Sequence, residues 1–387
     1  MKRPPPFATA PNRRLTRRSL LTATAAVACM ASGSRLALNL SPQHHHREVL
    51  VSALKSVPDQ FGIGVIDKDR LSTHAIAFRG HSIITHALKS NCLLAFPRRP
   101  GDTCLEVNLG TDEVSQAFTC NQQRHLFGHG CFSADGQVLF TTEANLKTGY
   151  GVIGVRDAKT YQLLTEFPSG GIGPHDIKLM SGGQSLAVAN GGILTHPQSG
   201  RKKLNLDSMH SSLTLVDTNN GSLEDIWLPT ESKASARHID VAADGTIAIA
   251  LQVQRSAMSH DGVVPLAAVL KPDTSVTPLA EPVPVITAMN DYAGSVAIND
   301  KTRIAGFTSP RGNLAAFWNI DSGGFVTHYV LHDVCGIAIS ADSKFFIVSN
   351  SHGAVRYLDG ASMQEDKSMR QHYAAVHWDN HLTAITV

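Results

Sequence analysis

Short runs of alternating hydrophobic and polar residues occur in pairs along this chain, each pair joined by a turn rich in Asp, Gly or Asn. Alternation over roughly four to eight residues predicts β-strands with one buried face. The unit recurs at intervals of about 40 to 60 residues, a period typical of repeat architectures. Its copies are "THALKSNCLLAFPR" (85–98), "GHGCFSADGQVLFTTE" (128–143), "PHDIKLMSGGQSLAVAN" (174–190), "RHIDVAADGTIAIALQ" (237–252), "GSVAINDKTRIAGFTS" (294–309) and "CGIAISADSKFFIVSN" (335–350).

Further short strands follow most copies, for example in residues 151–167 and 212–228. Four antiparallel strands per repeat is the pattern of one β-propeller blade. Strand-like segments at both ends, 60–78 and 374–387, predict a seventh blade built jointly from the two termini. We therefore expect an all-β, seven-bladed propeller of the WD40 or YVTN type, formed as one domain by residues 50–387. A pair of open β-sandwiches is the alternative.

The first 45 residues differ in composition from the rest of the chain. They contain seven of the 34 basic residues and none of the 32 acidic ones, so the remainder is mildly acidic, which argues against a nucleic-acid partner. "TRRSLL", with its twin arginines Arg17 and Arg18, precedes an apolar stretch too short to cross a bilayer. This pattern predicts a twin-arginine export signal with a linker over residues 1–45, and a periplasmic protein with no membrane span in the mature chain. A basic tail is the alternative, as is a lipid anchor at Cys29.

Polar residues recur where the innermost strand of each predicted blade begins and in the loop between its second and third strands. In a propeller these positions share one face, so the side chains should rim one mouth of the central channel. His81 begins the first repeat in this way. The candidate ligand-binding residues are Arg98, Arg99, His129, Glu143, Asn145, His175, Asp176, Asn190, Arg237, His238 and Arg311.

Three interpretations of this mouth remain open. The histidines could make hydrogen bonds between blades, or the arginines could clamp an anion, since guanidinium groups suit carboxylates and phosphates. Alternatively, His129, His175 and His238, with Asp176 or Glu143, could hold iron, copper or zinc. No compact ligand spacing supports the metal site, and the cofactor is unknown, with iron as one candidate. Motifs for a serine nucleophile, a P-loop, a CxxC pair or haem attachment are missing from the sequence.

Cys104 and Cys120 are symmetric about Asp112. A hairpin turning at 110–112 would place them opposite each other, and an oxidising compartment would then permit a disulfide. The other cysteines of the predicted domain are expected to be small buried residues.

Long segments of the chain resemble a known family of exported bacterial proteins. The resemblance covers about residues 60–387 and is carried by segments 127–158 and 167–209, "NDYAGSVAI" (290–298), "SPRGNLAAFWN" (309–319) and "DVCGIA" (333–338). These are similar to the domain of unknown function 1513 family. The resemblance implies a propeller-like fold, export, and a setting of imelysin-like and di-haem peroxidase-like proteins linked to iron acquisition.

The family-like polar positions overlap the predicted mouth. They include His81, Arg98, Arg99, His129, Glu143, Asn145, His175, Asn190, His196, Lys203, Asn205, Asp207, His238, Ser295 and Arg311. One departure is Asp176, where the family often has Glu.

We expect a non-catalytic binding or accessory protein in iron acquisition. One alternative is a metal-dependent hydrolase or oxidoreductase that uses the same mouth, with Glu143 as one candidate side chain. Another is a scaffold whose outer surface docks an iron-uptake partner.

Overall fold

A computed structural model describes residues 47–56, 59–200, 202–272 and 274–387. The predicted export signal and Cys29 lie outside these residues. The described chain forms seven antiparallel sheets, each built from four strands or their equivalent, so the predicted seven-bladed propeller is confirmed. Among the described residues, no helix has the length and apolar character needed to cross a membrane.

The strands follow one another blade by blade. The terminal blade begins with β1 (Glu48–Ser56), β2 (Gln60–Asp67) and β3 (Arg70–Ala75). Blade one has β4 (Gly80–Thr85), β5 (Cys92–Pro97), β6 (Thr103–Asn108) and β7 (Glu113–Thr119). Blade two has β8 (Arg124–Phe132), β9 (Val138–Asn145), β10 (Gly151–Asp157) and β11 (Leu163–Pro168). Blade three has β12 (Pro174–Leu179), β13 (Ser185–Asn190), β14 (Ser212–Asp217) and β15 (Leu223–Trp227).

The remaining blades complete the ring. Blade four has β16 (Ala234–Val241), β17 (Ile247–Val253), β18 (Ala267–Leu270) and β19 (Thr277–Pro278). Blade five has β20 (Ser295–Asn299), β21 (Ile304–Ser309), β22 (Leu314–Asn319) and β23 (Phe325–Val330). Blade six has β24 (Val334–Ile339), β25 (Phe345–Asn350), β26 (Ala354–Asp359) and β27 (Gln371–His372). The C-terminal strands are β28 (Val376–Trp378) and β29 (Thr383–Thr386), and helical segments are α1 (Val283–Ala288) and the 3-10 turns Pro197–Ser199, Arg255–Ala257 and Lys367–Met369.

Both termini contribute to the terminal blade. β28 and β29 pair with β1, which pairs with β2 and then β3. The sequence pattern missed β1, because its run "EVLVSALKS" is buried on both faces and shows little polar alternation. Innermost strands contact one another in the order β4, β8, β12, β16, β20, β24 and β29, and β29 returns to β4. The ring therefore closes, which leaves fewer exposed sheet edges.

Apolar side chains between neighbouring sheets form the core. The largest set lies around blades four and five and includes Ile249, Phe307 and Trp318, all almost fully buried. Each such side chain contributes roughly 1.5 to 3 kcal/mol when removed from water. This packing fixes the blades relative to one another, and hence the positions of side chains that point into the channel.

An irregularity recurs in the innermost strands. The register of β4, β8, β12 and β16 shifts between Gly80 and Ile83, Leu126 and Gly130, Pro174 and Asp176, and Ala236 and His238, respectively. A β-bulge leaves extra residues unpaired and redirects their side chains. The shifted segments contain or border four histidines, His81, His129, His175 and His238.

The predicted opposition of Cys104 and Cys120 is wrong. A register shift after Cys104 places it opposite Phe118, while the amide of Cys120 donates to Asp102. Both thiols are free and buried, and burial raises the pKa of each. The two residues belong to the apolar core of blade one.

Candidate functional site: a histidine cluster in the channel

Four buried histidines and the partly buried His381 meet in the central channel, where they form the histidine cluster: His81, His129, His175, His238 and His381. The first four each offer a ligand atom, and these atoms all lie within 4.8 Å of one another. The ring of His381 lies 4.4 Å from that of His238 and 4.6 Å from that of His81, centroid to centroid. Four blades and the segment entering β29 therefore supply one compact group.

Gly128 is needed for this packing. Its φ of +104° is unfavourable for residues with a side chain, and a Cβ there would lie 2.6 Å from Cδ2 of His81. The bulge in β8 therefore depends on glycine to bring His129 beside His81, whose ring centroid is 4.8 Å away.

Asp176 fixes the orientation of His129. Its Oδ1 lies 3.0 Å from Nδ1 of His129, and its Oδ2 accepts a hydrogen bond from the amide of Ile239 at 3.0 Å. One carboxylate thus links blades two, three and four. Burial would raise the pKa of Asp176, but His129, Lys178 and His238 together outweigh burial and hold that pKa well below its usual range. With Nδ1 engaged, Nε2 of His129 remains available to the cluster.

Other cluster nitrogens have few partners. Nε2 of His175 and Nε2 of His238 lie 3.1 Å apart and share a hydrogen bond. Within the part of the chain that the structure describes, hydrogen-bond partners are lacking for His81 Nδ1, His129 Nε2, His175 Nδ1, His238 Nδ1 and His381 Nε2. Buried polar atoms without partners typically cost about 1 to 3 kcal/mol each. Such a concentration of unpaired nitrogens needs an explanation other than fold stability.

Burial keeps these imidazoles neutral. It lowers the pKa of His81, His175, His238 and His381 well below the usual value, and neighbouring positive charges lower it further. Those charges include Arg98 for His81 and Arg237 for His175. A neutral imidazole has a free lone pair, which is the form that binds metals.

A pocket of about 20 Å³, the arginine vestibule, lies beside the cluster on the side where the innermost strands begin. Its lining residues are His81, Arg98, Arg99, Phe127, His175, Arg237, Tyr292 and Asn380. Arg311 stacks over the ring of Tyr292, 5.1 Å from the centroid. A second cavity of about 320 Å³ lies further along the same strands and touches His129, His238 and His381. The histidine cluster thus borders both spaces.

The structure groups most, but not all, of the expected mouth residues. His129, Asp176 and His238 border the inner cavity, while Arg98, Arg99, His175 and Arg237 line the vestibule. Asn145 instead caps the turn at Lys147 and Thr148. Asn190 bonds to Ser169 and Thr214 inside blade three.

Glu143 also lies apart from the cluster. Its Oε1 accepts hydrogen bonds from Arg156 and Thr141, each at 2.7 Å, and both charged residues are buried. The Arg156 guanidinium in turn lies 4.0 Å from the Phe118 ring centroid. Gly154 leaves space for the carboxylate, since a Cβ there would lie 2.3 Å from Oε1. Glu143 therefore forms an ion pair within the blade and does not rim the mouth.

Replacing Glu143 with Gln is expected to reduce the free energy of unfolding by about 3 kcal/mol, because it leaves the buried Arg156 without a counter-charge. Urea unfolding followed by circular dichroism measures the change. Asp59→Asn is the matched control, since its pair with Lys55 is largely exposed and should contribute little to stability. Equal effects of the two substitutions would contradict the importance of burial here.

Two site residues were missed by sequence patterns. His381 precedes the last strand, at the same entry position as the other histidines, but the terminal copy of the repeat is too divergent to show this. Asp379 accepts hydrogen bonds from Arg79 at 2.6 Å and from Arg98 at 2.8 Å, and so holds Arg98 at the vestibule. In the sequence, both residues are marked only by the polar segment "WDNH" before the last strand.

Comparison with known proteins supports the fold and the family. Among solved structures, hydrazine synthase of Kuenenia stuttgartiensis is similar with a TM-score of 0.57 at 13% sequence identity, over 75% of this chain and 88% of that one. At this identity the similarity shows the fold alone. A search of curated proteins gives no match. The model of the protein of unknown function family DUF1513 matches residues 74–385, so the chain belongs to that family.

Proposed function

We propose that this protein binds a divalent transition-metal ion at the histidine cluster, with His81, His129, His175 and His238 as ligands and His381 beside them. The observation that carries the proposal is the convergence of four potential ligand atoms within 4.8 Å. Metal–nitrogen bonds are about 2.0 to 2.1 Å long, so two ligand nitrogens on one ion lie roughly 3 Å apart. The 3.1 Å between His175 Nε2 and His238 Nε2 agrees with this spacing.

The ligand set indicates the class of metal. Imidazole nitrogens suit zinc, copper, iron and nickel, whereas calcium and magnesium prefer oxygen ligands. The contact from Asp176 to His129 is the carboxylate–histidine arrangement that commonly supports metal-bound histidines. Inter-blade hydrogen bonding, the alternative for these histidines, accounts for that contact and for the one between His175 and His238, but leaves five other ring nitrogens unexplained.

Metal binding is tested first on the wild-type protein. Purified protein, stripped with a chelator, is titrated with Fe²⁺, Zn²⁺ and Co²⁺ under anaerobic conditions. We expect one ion per chain, and nitrogen-ligated Co²⁺ should give visible absorption bands. Failure of all three ions to bind at micromolar concentration would overturn the proposal.

We further propose that this metal-binding propeller acts outside the cytoplasm as an accessory protein in iron acquisition, with imelysin-like and di-haem peroxidase-like proteins as candidate partners. Support comes from the twin-arginine segment and from the family resemblance. A binding role is favoured over a hydrolase or oxidoreductase because Glu143, a candidate catalytic side chain, is engaged by Arg156.

Export gives a separate prediction. Changing Arg17 and Arg18 together to Lys should retain the protein in the cytoplasm, because the export pathway reads the arginine pair itself. Cell fractionation with immunoblotting measures the distribution. The matched control replaces Arg13 and Arg14 with Lys, which is the same chemical change in the same segment. Unchanged periplasmic protein in the Arg17/Arg18 variant would contradict twin-arginine export.

A further inference from the structure

The arginine vestibule leaves little room for a solute to reach the histidine cluster. It encloses about 20 Å³, which is enough for roughly one water molecule. The described residues that line it include Arg98, Arg99 and Arg237 but no carboxylate. The innermost strands begin on this side, and their first residues, such as Gly80 in β4 and Pro174 in β12, are buried. A hydrated cation therefore has neither the space nor a favourable charge environment on this side.

The inner cavity, further along the innermost strands, is much larger. It encloses about 320 Å³ and touches three of the cluster histidines, His129, His238 and His381. Within the described chain, Nε2 of His129 and Nε2 of His381 are buried atoms without hydrogen-bond partners. Bare charge is costly to bury, so an ion keeps bound water until protein ligands replace it. The inner cavity offers room for that exchange beside unpaired ring nitrogens.

Solvent exposure along the strands indicates where this cavity opens. The innermost strands β4, β12, β16 and β24 are buried where they begin and partly exposed where they end. In β4, Ser82 is buried, Ile84 is half-buried and Thr85 is exposed. Lys178 and Asp240 line the cavity near the ends of β12 and β16, and both are half-buried. The channel is therefore closed towards the vestibule and open at the face where the innermost strands end.

The charges that line the inner cavity favour a cation. The lining, within the described chain, carries the carboxylates of Asp176 and Asp240 and the single ammonium of Lys178. Burial would lower the pKa of Lys178, but the two carboxylates outweigh burial and raise it, so the ammonium stays charged. Burial raises the pKa of Asp240, while Lys178 and a hydrogen bond from the amide of Ile298 favour its charged form. Two carboxylates against one ammonium make the lining net negative, and partly enclosed negative charge attracts cations.

We propose that the metal ion enters and leaves the histidine cluster through the inner cavity, at the face of the propeller where the innermost strands end. The route rests on the metal site proposed above and deepens it. It places metal exchange opposite the blade-entry loops, which carry most of the polar residues that the sequence pattern indicates. A partner that delivers or removes the ion therefore works from the face where the innermost strands end.

The test narrows each space with a bulky side chain and measures how fast Co²⁺ binds and leaves. Ala384 lines the inner cavity and is half-buried, so Ala384→Trp places an indole ring in the route. Stopped-flow mixing of metal-free protein with Co²⁺ follows association through the absorption bands, and excess chelator measures dissociation. We expect both rates to fall by about tenfold while the dissociation constant stays within about twofold of the wild type, because a plug raises the barrier in both directions and removes no ligand.

A second plug and a matched control complete the set. Ile84→Trp narrows the same cavity from blade one and should slow both rates in the same way. Tyr292→Trp enlarges an aromatic ring in the wall of the vestibule and should leave both rates at wild-type values. Circular dichroism verifies that each variant is folded.

The outcomes separate the route from the metal site. Slower exchange in Tyr292→Trp, with wild-type rates in both cavity variants, would make the vestibule the route. Wild-type rates in all three variants, or a loss of affinity that accounts for the slower association in both cavity variants, would also overturn the proposed route and leave the metal site intact. Failure of the wild-type protein to bind Co²⁺ would overturn the metal site, and the route with it.

Discussion

Replacing His175 with alanine is expected to lower the affinity of the protein for Co²⁺ or Zn²⁺ by more than about 100-fold. His175 is one of the four potential ligands within 4.8 Å, and its Nε2 lies 3.1 Å from that of His238. Loss of an outer partner of a metal ligand typically costs about 10- to 100-fold in affinity, and loss of the ligand itself should exceed this. Competition with a coloured chelator measures the dissociation constants.

Two further variants should have smaller effects on metal affinity than His175→Ala. Asp176→Asn should weaken binding by about 10- to 100-fold, because it removes the charge that supports His129 without removing a ligand. His125→Ala should leave affinity unchanged. His125 is a buried histidine of the same strand as His129, and its burial lowers its pKa to about 4, but it lies outside the ligand group. If His125→Ala and His175→Ala weakened binding equally, the assignment of ligands would be wrong.

Metal-free protein is expected to lose about 6 kcal/mol of unfolding free energy between pH 7.5 and 5.5. Burial holds the pKa values of His81, His175, His238 and His381 well below those of the unfolded chain, near 6.5. Below pH 6.5 the unfolded state therefore binds up to four more protons than the folded state, and stability falls with pH. Each histidine accounts for about 1.4 kcal/mol over this range.

Urea unfolding at pH 5.5, 6.5 and 7.5 in the presence of a chelator measures this dependence. His381→Gln should reduce the slope by about one proton, because it removes one of the four titrating groups. Stability that rises on acidification, or an unchanged slope in His381→Gln, would contradict neutral buried histidines. Bound metal should steepen the dependence, since protons compete with the metal for the same nitrogens.

The repeat in the hydrophobic pattern was sufficient to predict the propeller. Its period and the strand-like segments at both ends require seven blades and a closure by the termini, because a blade is a local unit whose four strands are continuous in sequence. β1 was missed because a strand buried on both faces lacks the alternation on which the prediction depends. The predicted cysteine opposition failed for a different reason, since one register shift beside Cys104 altered the pairing.

The sequence likewise predicted the positions of some site residues correctly and those of others wrongly. Sequence alone placed His129, His175, His238 and Arg237 at blade entries and the other arginines in the loops on the same face, because position within a repeat determines the face of the ring. It could not distinguish these site residues from Glu143, Asn145 and Asn190. Local hydrogen bonds hold the side chains of Glu143 and Asn190 inside a blade and that of Asn145 in a turn.

Only the tertiary structure decided which residues meet. The bulges in β4, β8, β12 and β16 aim the four histidines at the channel axis, and their shifts depend on pairing between strands. His381 joins them because the C-terminal strand closes the ring. The sequence thus determined the architecture and the face that bears the polar residues, through a periodicity that is local. Residues up to 300 positions apart, such as His81 and His381, meet only when all seven blades pack together.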